Sequence, residues 1–232
     1  MASIISRRRS EHLMFGGIAI LLIGYALLGF WQSYFAAGLV LAPLPSLLVH
    51  VHAVLFVGWI TLFFVQTALI ASNNHKIHRR LGSVMGWWAV AIIMIGPATV
   101  IMAVRRQAVG AGPFAGDLAQ TLAFAILCAA GLSQRRDGPT HKRLMTLASA
   151  AIIGPAIIRW PFEFILREPP VGVLFFYLLP ALLLIGYDQA TLRRVHRATW
   201  LGFGLLVAVL ISFIALPAWP GWITFFHWVQ RV

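Results

Sequence analysis

Acidic side chains, cysteine and charge of either sign are all scarce: 232 residues hold six Asp or Glu and one Cys. Charged residues make up 10% of the chain, against roughly a quarter in an ordinary soluble domain. So few polar groups cannot clothe a sequence that is 60% hydrophobic, and lipid must solvate its outside. With Cys128 alone, no disulfide can close within the chain and no thiolate cluster can hold a metal. The last apolar segment has no lysine, which excludes a retinal Schiff base. There is no Walker loop, no nucleotide-binding glycine fingerprint, no His-Glu-x-x-His and no Cys-x-x-Cys-His. P-loop nucleotide chemistry, a zincin site and covalent c-type haem are excluded with them.

What is present is long apolar runs. A helix needs about 20 apolar residues to cross the hydrocarbon, and only helices or closed barrels satisfy their backbone there. Seven runs qualify, near residues 14–34, 47–71, 84–104, 114–132, 144–162, 171–187 and 199–216. The predicted fold is all-α: a single domain over 1–232, a bundle of seven transmembrane helices. The first run is too long for a signal-peptide core and is read as a retained helix.

The formal charge is +12, but its Lys and Arg sit in short clusters between the apolar runs rather than along one face. That is a topology signal, not a nucleic-acid footprint. With the N-terminus inside, one side receives Arg7, Arg8, Arg9, Lys76, Arg79, Arg80, Arg135, Arg136, Lys142, Arg143, Arg193, Arg194 and Arg197. The other receives Arg105, Arg106, Arg159, Arg167 and Arg231. The bias predicts a cytoplasmic N-terminus and an outer C-terminus in the inner (plasma) membrane of a bacterium. The tail from residue 217, with Trp219-Pro220-Gly221-Trp222, is expected along the outer interface.

Ionisable groups in or beside spans are functional candidates by default. Here they form two layers. The inner one holds His12, His75, His78, His141 and His196, with Asp188 closing the sixth run. Neutral imidazole is a common ligand of metal and haem iron, so His78, His141 and His196 are candidate cofactor ligands. With Asp188 they are, alternatively, a divalent-metal set with one open position. The bland reading is anchoring at the lipid head groups. The outer layer holds His50 and His52 at the start of the second run and Arg159 at the end of the fifth, with Asp117 opening the fourth. Two residues on a helix are about 200° apart, so His50 and His52 face different ways. His52 shares a stripe with Phe56, Trp59, Phe63 and Gln66, and such a stripe is more often packing than a cofactor box. Arg159 is a candidate clamp for a propionate, a quinone oxygen or an acidic substrate.

The residues His50-Val51-His52, His78-Arg79-Arg80-Leu81-Gly82 and His141-Lys142-Arg143-Leu144-Met145 resemble a group of uncharacterised bacterial multi-span membrane proteins. Those carry an HRxLG-type motif opening one span and an HKRLM-type motif opening a later one, and the likeness covers about half the chain. More distantly, the chain looks similar to histidine-bearing haem-biogenesis and oxidase-assembly proteins and to two-haem cytochrome b bundles. The histidine layers themselves suggest b-type haem held through His50 or His52 and His78, His141 and His196, or contact with quinone or respiratory-chain subunits. The leading expectation is therefore a membrane redox or haem-handling protein. The alternatives are a lipid hydrolase using zinc or another divalent metal at the inner histidines, and a cofactor-free transporter or assembly partner.

Overall fold

The structure is a computed structural model that describes residues 2–32, 34–36, 46–166 and 171–231, with side chains from residue 9 on apart from Leu166. Arg7, Arg8 and Arg167, which enter the charge bias above, lie outside the described side chains. The described chain is helical: α1 (Ala2–Phe30), α2 (Leu47–Ala71), α3 (His75–Arg105), α4 (Ala111–Ser133), α5 (Gly138–Ala151), α6 (Gly154–Ile157), α7 (Glu163–Leu166), α8 (Val171–Leu192), α9 (Arg197–Ala215) and α10 (Pro220–Arg231). Six helices are long and apolar enough to cross a membrane: α1 from Arg9, α2, α3, α4, α8 and α9. Large apolar side chains such as Trp87, Met94 and Ile214 stand on the outside, 78%, 68% and 79% exposed. In water that arrangement would aggregate, whereas lipid satisfies it. This is a multi-pass membrane protein.

Local chemistry sets the helix ends. Ser46 caps α2 by accepting from the Val49 N–H at 3.4 Å. Asp137 caps α5, accepting from the Thr140 N–H at 3.4 Å and its hydroxyl at 2.5 Å, and Pro139 fits the first turn, where no N–H is needed. Those bonds from Thr140 hold the exposed Asp137 carboxyl below the usual carboxylate range. Asn73, Gln107 and Arg193 take left-handed backbone just past α2, α3 and α8, which turns the chain back.

The expected fifth span, 144–162, is not one helix. α5 already starts at Gly138 and stops at Ala151, a one-turn α6 follows, and turns continue to Trp160. Pro155 supplies no N–H and its ring excludes the carbonyl of the preceding turn, so the helix breaks. α5 packs against α1, α2, α4, α8 and α9, and nearly all of it from Thr140 to Ala151 is buried. Because protein rather than lipid surrounds it, α5 tolerates Arg143, Thr146 and Ser149 in its interior. The carbonyls freed at the break find donors: Ala151 accepts from the Tyr177 hydroxyl at 2.9 Å and Pro155 from the Arg159 guanidinium at 2.5 Å. α1 crosses tightly here, since a Cβ at Gly29 would fall on the Ala156 carbonyl.

The tail forms an amphipathic helix, α10. Trp222, Phe226 and Val229 bury against Val100, Val104 and Phe114 of α3 and α4, while Trp228 on the opposite face is 57% exposed.

Candidate functional site

Contacts at one end of the bundle gather the starts of α3, α5 and α9 and the end of α8. There, Arg143 donates from Nε to both Asp188 carboxylate oxygens at 3.0 and 3.3 Å, and its Nη2 forms an ion pair with Oδ1. The same carboxylate accepts from the Thr199 hydroxyl at 2.6 Å and the His196 backbone N–H at 3.0 Å. Asp188 is fully buried and Arg143 is 2% exposed. Both side chains are thereby committed to tying α5, α8 and α9 together. Arg143, counted with the inner charges in the sequence, lies at that end as the interior partner of this carboxylate. Its neighbour Lys142 reaches Glu11 of α1 at 2.6 Å and lies 5.0 Å over the Phe15 ring.

His196 is the N-cap of α9, and its Nδ1 accepts from the Ala198 N–H at 3.2 Å. Partial burial and the nearby Arg143 charge push its imidazole below the usual histidine range. A neutral ring is also what the cap requires, because a protonated Nδ1 cannot accept.

His78 and His141 do meet. Their ring centroids are 6.4 Å apart and the planes cross at 83°. His141 Nδ1 lies 2.7 Å from the Gly131 carbonyl oxygen, so it carries the proton and Nε2 keeps a free lone pair. His78 Nδ1 is buried with no hydrogen-bond partner. Beside it, Gln66 of α2 donates to the His78 carbonyl at 3.3 Å, which leaves Gln66 Oε1 buried and unpartnered. Two imidazoles thus meet at one corner, and the glutamine that bonds the His78 backbone carries a buried amide oxygen without a partner. His196 and Asp188 do not join them. Among the described residues, no group of three or more His, Cys, Asp or Glu is placed to hold a metal ion, so the expected His78–His141–His196–Asp188 set is not assembled. The physical reason is the Arg143 ion pair and the α9 cap, which take up Asp188 and His196.

At the other end, the stripe through His52 faces the bundle: Trp59, Phe63 and Gln66 are buried. Trp59 donates to the Ser149 hydroxyl of α5 at 3.1 Å, so much of this stripe is core packing. His52 stacks on Phe56 at 4.1 Å, and its Nδ1 is buried with no partner. His50 turns away, edge-on to Tyr34 at 6.1 Å. Arg159 lies over the Phe30 ring at 5.4 Å and is within electrostatic reach of both His52 and Asp117. Asp117 accepts from Gln120 Nε2 at 3.2 Å, leaving Gln120 Oε1 buried without a donor.

Neither a protein-family model, nor a curated protein, nor a solved structure matches the chain.

Gln120 was not among the candidates in the sequence, and Gln66 entered only as part of the His52 stripe. A glutamine inside an apolar helix was the available signal, since an amide there must find partners or a ligand.

Proposed function

We propose that the chain is a redox or haem-handling membrane protein built around a metal ion shared by His78 and His141. The observation that carries this is their spacing. Two imidazole nitrogens about 2.0–2.1 Å from one ion can put ring centroids at most about 6.4 Å apart, and these lie at that limit, 6.4 Å. The hydrogen bond from His141 to Gly131 is the outer support such ligands have, fixing tautomer and ring direction. Rings at that separation fit haem iron, which His78 and His141 would hold; a tetrahedral free ion would need them about 1 Å closer. When bound, such a centre supplies one-electron transfer, and the chain's part is to hold the ion in a site closed by α2, α3, α4 and α5. A respiratory accessory is the role this chemistry suits.

A second reading rests on Gln66 Oε1, buried and unspent beside His78. An oxygen as third donor favours a free divalent ion with a position open to water, hence a Lewis-acid site of the lipid-hydrolase kind.

The seven-span topology belongs to the same proposal. α5, α6 and the turns to Trp160 act as the seventh crossing, which interior position and bonded carbonyls make tolerable despite the break. Exposed Lys76, Arg79, Arg80, Arg135, Arg136, Arg193, Arg194 and Arg197 cluster at the end that carries His78 and His141, and this supports a cytoplasmic side there. α10 then lies at the outer interface with Trp219 and Trp228 toward lipid.

An absorption spectrum with elemental analysis on detergent-purified protein tests the site. Haem iron predicts a Soret band that shifts on dithionite reduction; a free ion predicts a colourless or weakly coloured sample with stoichiometric metal. A preparation from metal- and haem-replete cells with neither leaves the cofactor-free transporter or assembly partner and overturns the proposal.

A further inference from the structure

The break between α5 and α6 gathers polar groups that the Arg143 network and the His78–His141 corner do not use. Gln120 Oε1 presses on the break itself: a Cβ at Gly154 would lie 2.6 Å from it. Gln120 is 3% exposed and this oxygen receives no hydrogen bond. On α2, His52 Nδ1 is likewise orphaned. A chain of packing contacts joins the two. His52 stacks on Phe56, and a Cβ at Gly96 would touch both Phe56 at 3.4 Å and the Thr121 hydroxyl at 3.3 Å, one residue along from Gln120. Arg159 and Asp117 act electrostatically on this region from its outer rim. Buried polar groups left without partners are costly, typically by enough to be removed unless something satisfies them.

Charge and access narrow what that something is. One Arg and one Asp cancel, and His52 and Gln120 add no fixed charge, so an anion gains no surplus attraction over a neutral molecule. Two residues past Arg159 in sequence, Pro161 helps line a shallow apolar groove along α1 with Gly24, Leu27, Leu28, Trp31 and Gln32. A molecule entering from lipid meets an apolar track first and hydrogen-bonding groups second. Those groups sit on different helices, α2 and α4, so a head with a single oxygen satisfies only one of them.

We propose that this break is a binding site for a membrane-soluble quinone or quinol, its ring between His52 and Gln120 and its tail in the α1 groove. One ring oxygen pairs with the His52 imidazole and the other, as a hydroxyl, donates to Gln120 Oε1, with Arg159 and Asp117 at the mouth. Any redox use of this ligand rests on the metal centre proposed above; the binding itself does not.

The test is equilibrium binding of a short-chain benzoquinol to the full chain in nanodiscs, read by quenching of tryptophan fluorescence. Wild type is expected to bind saturably, one per chain, and His52→Phe and Gln120→Leu each to weaken binding about tenfold or more with unchanged melting temperature. Should Gln120→Leu fail to fold, His52→Phe decides alone. His78→Gln is expected to keep quinol binding whatever its metal content, which separates this site from the metal proposal. Absence of saturable binding, unchanged affinity in the folded variants, or equal binding of an isoprenoid alcohol with the same tail would overturn it.

Discussion

Replacing Asp188 by Ala strands Arg143 as an unpaired cation that is 2% exposed, inside one end of the bundle. The lost carboxylate also withdraws acceptors from the Thr199 hydroxyl and the His196 N–H, at 2.6 and 3.0 Å in the native protein. Breaking a buried pair from one side costs about 3–5 kcal/mol, because the remaining charge has no counter-ion, although Arg143 keeps the Pro139 carbonyl as an acceptor at 2.8 Å. At roughly 2–4 °C per kcal/mol for a chain of this size, the melting temperature should fall by about 6–20 °C. Thermal scans of intrinsic tryptophan fluorescence in one detergent are the assay. The double replacement Arg143→Met with Asp188→Leu removes both charges and keeps apolar volume, so it should recover most of the loss, ending within about 1.5 kcal/mol of wild type. Glu11→Gln, which cuts the half-exposed pair with Lys142, should cost at most about 1 kcal/mol. The reasoning is refuted if Asp188→Ala costs under about 1 kcal/mol, or if the double variant is no better than the single.

Stability should fall on acidification through the His196 cap. The folded ring titrates below its ordinary range, so its contribution is complete above the unfolded histidine range and is lost as pH drops through the lowered folded value. His196→Asn keeps a capping oxygen that does not titrate, and its pH–melting curve should be flatter than wild type on the acid side; parallel curves would refute this. Gly29→Ala should destabilise by about 1–3 kcal/mol, as the new methyl meets backbone at Ala156 rather than a side chain that can move; an unchanged melting temperature would contradict the close crossing. Trp59→Phe should cost about 1 kcal/mol plus any packing loss by leaving the Ser149 hydroxyl without its donor, measurable in the same scans.

Six apolar runs were legible as helices because lipid-facing residues announce themselves by composition, and α2 spans the predicted 47–71. The fifth run read as one span because Leu144, Leu147, Ala148 and Ile152 are as apolar as any. Periodicity cannot tell a helix ringed by protein from one ringed by lipid, and Gly154-Pro155 gave the only warning of the break. Arg143 was misread for the same reason: a basic residue at a helix start looks like an interfacial charge until Asp188 is found against it. His78 and His141 were legible as candidates since imidazole at a membrane boundary stands out, but their pairing without His196 depends on helix rotation. No spacing in the sequence encodes that. The direction of His52 follows from the burial of Trp59 and Phe63, which share its face.

Metal per polypeptide, compared between wild type and His141→Gln, tests the central claim most directly. The shared-ion account predicts about one equivalent of haem iron or transition metal in the native protein and its loss when the His141 ring is removed, with melting behaviour otherwise native. Equal metal content in both proteins, or none in either after growth with ample haem and metals, would contradict it.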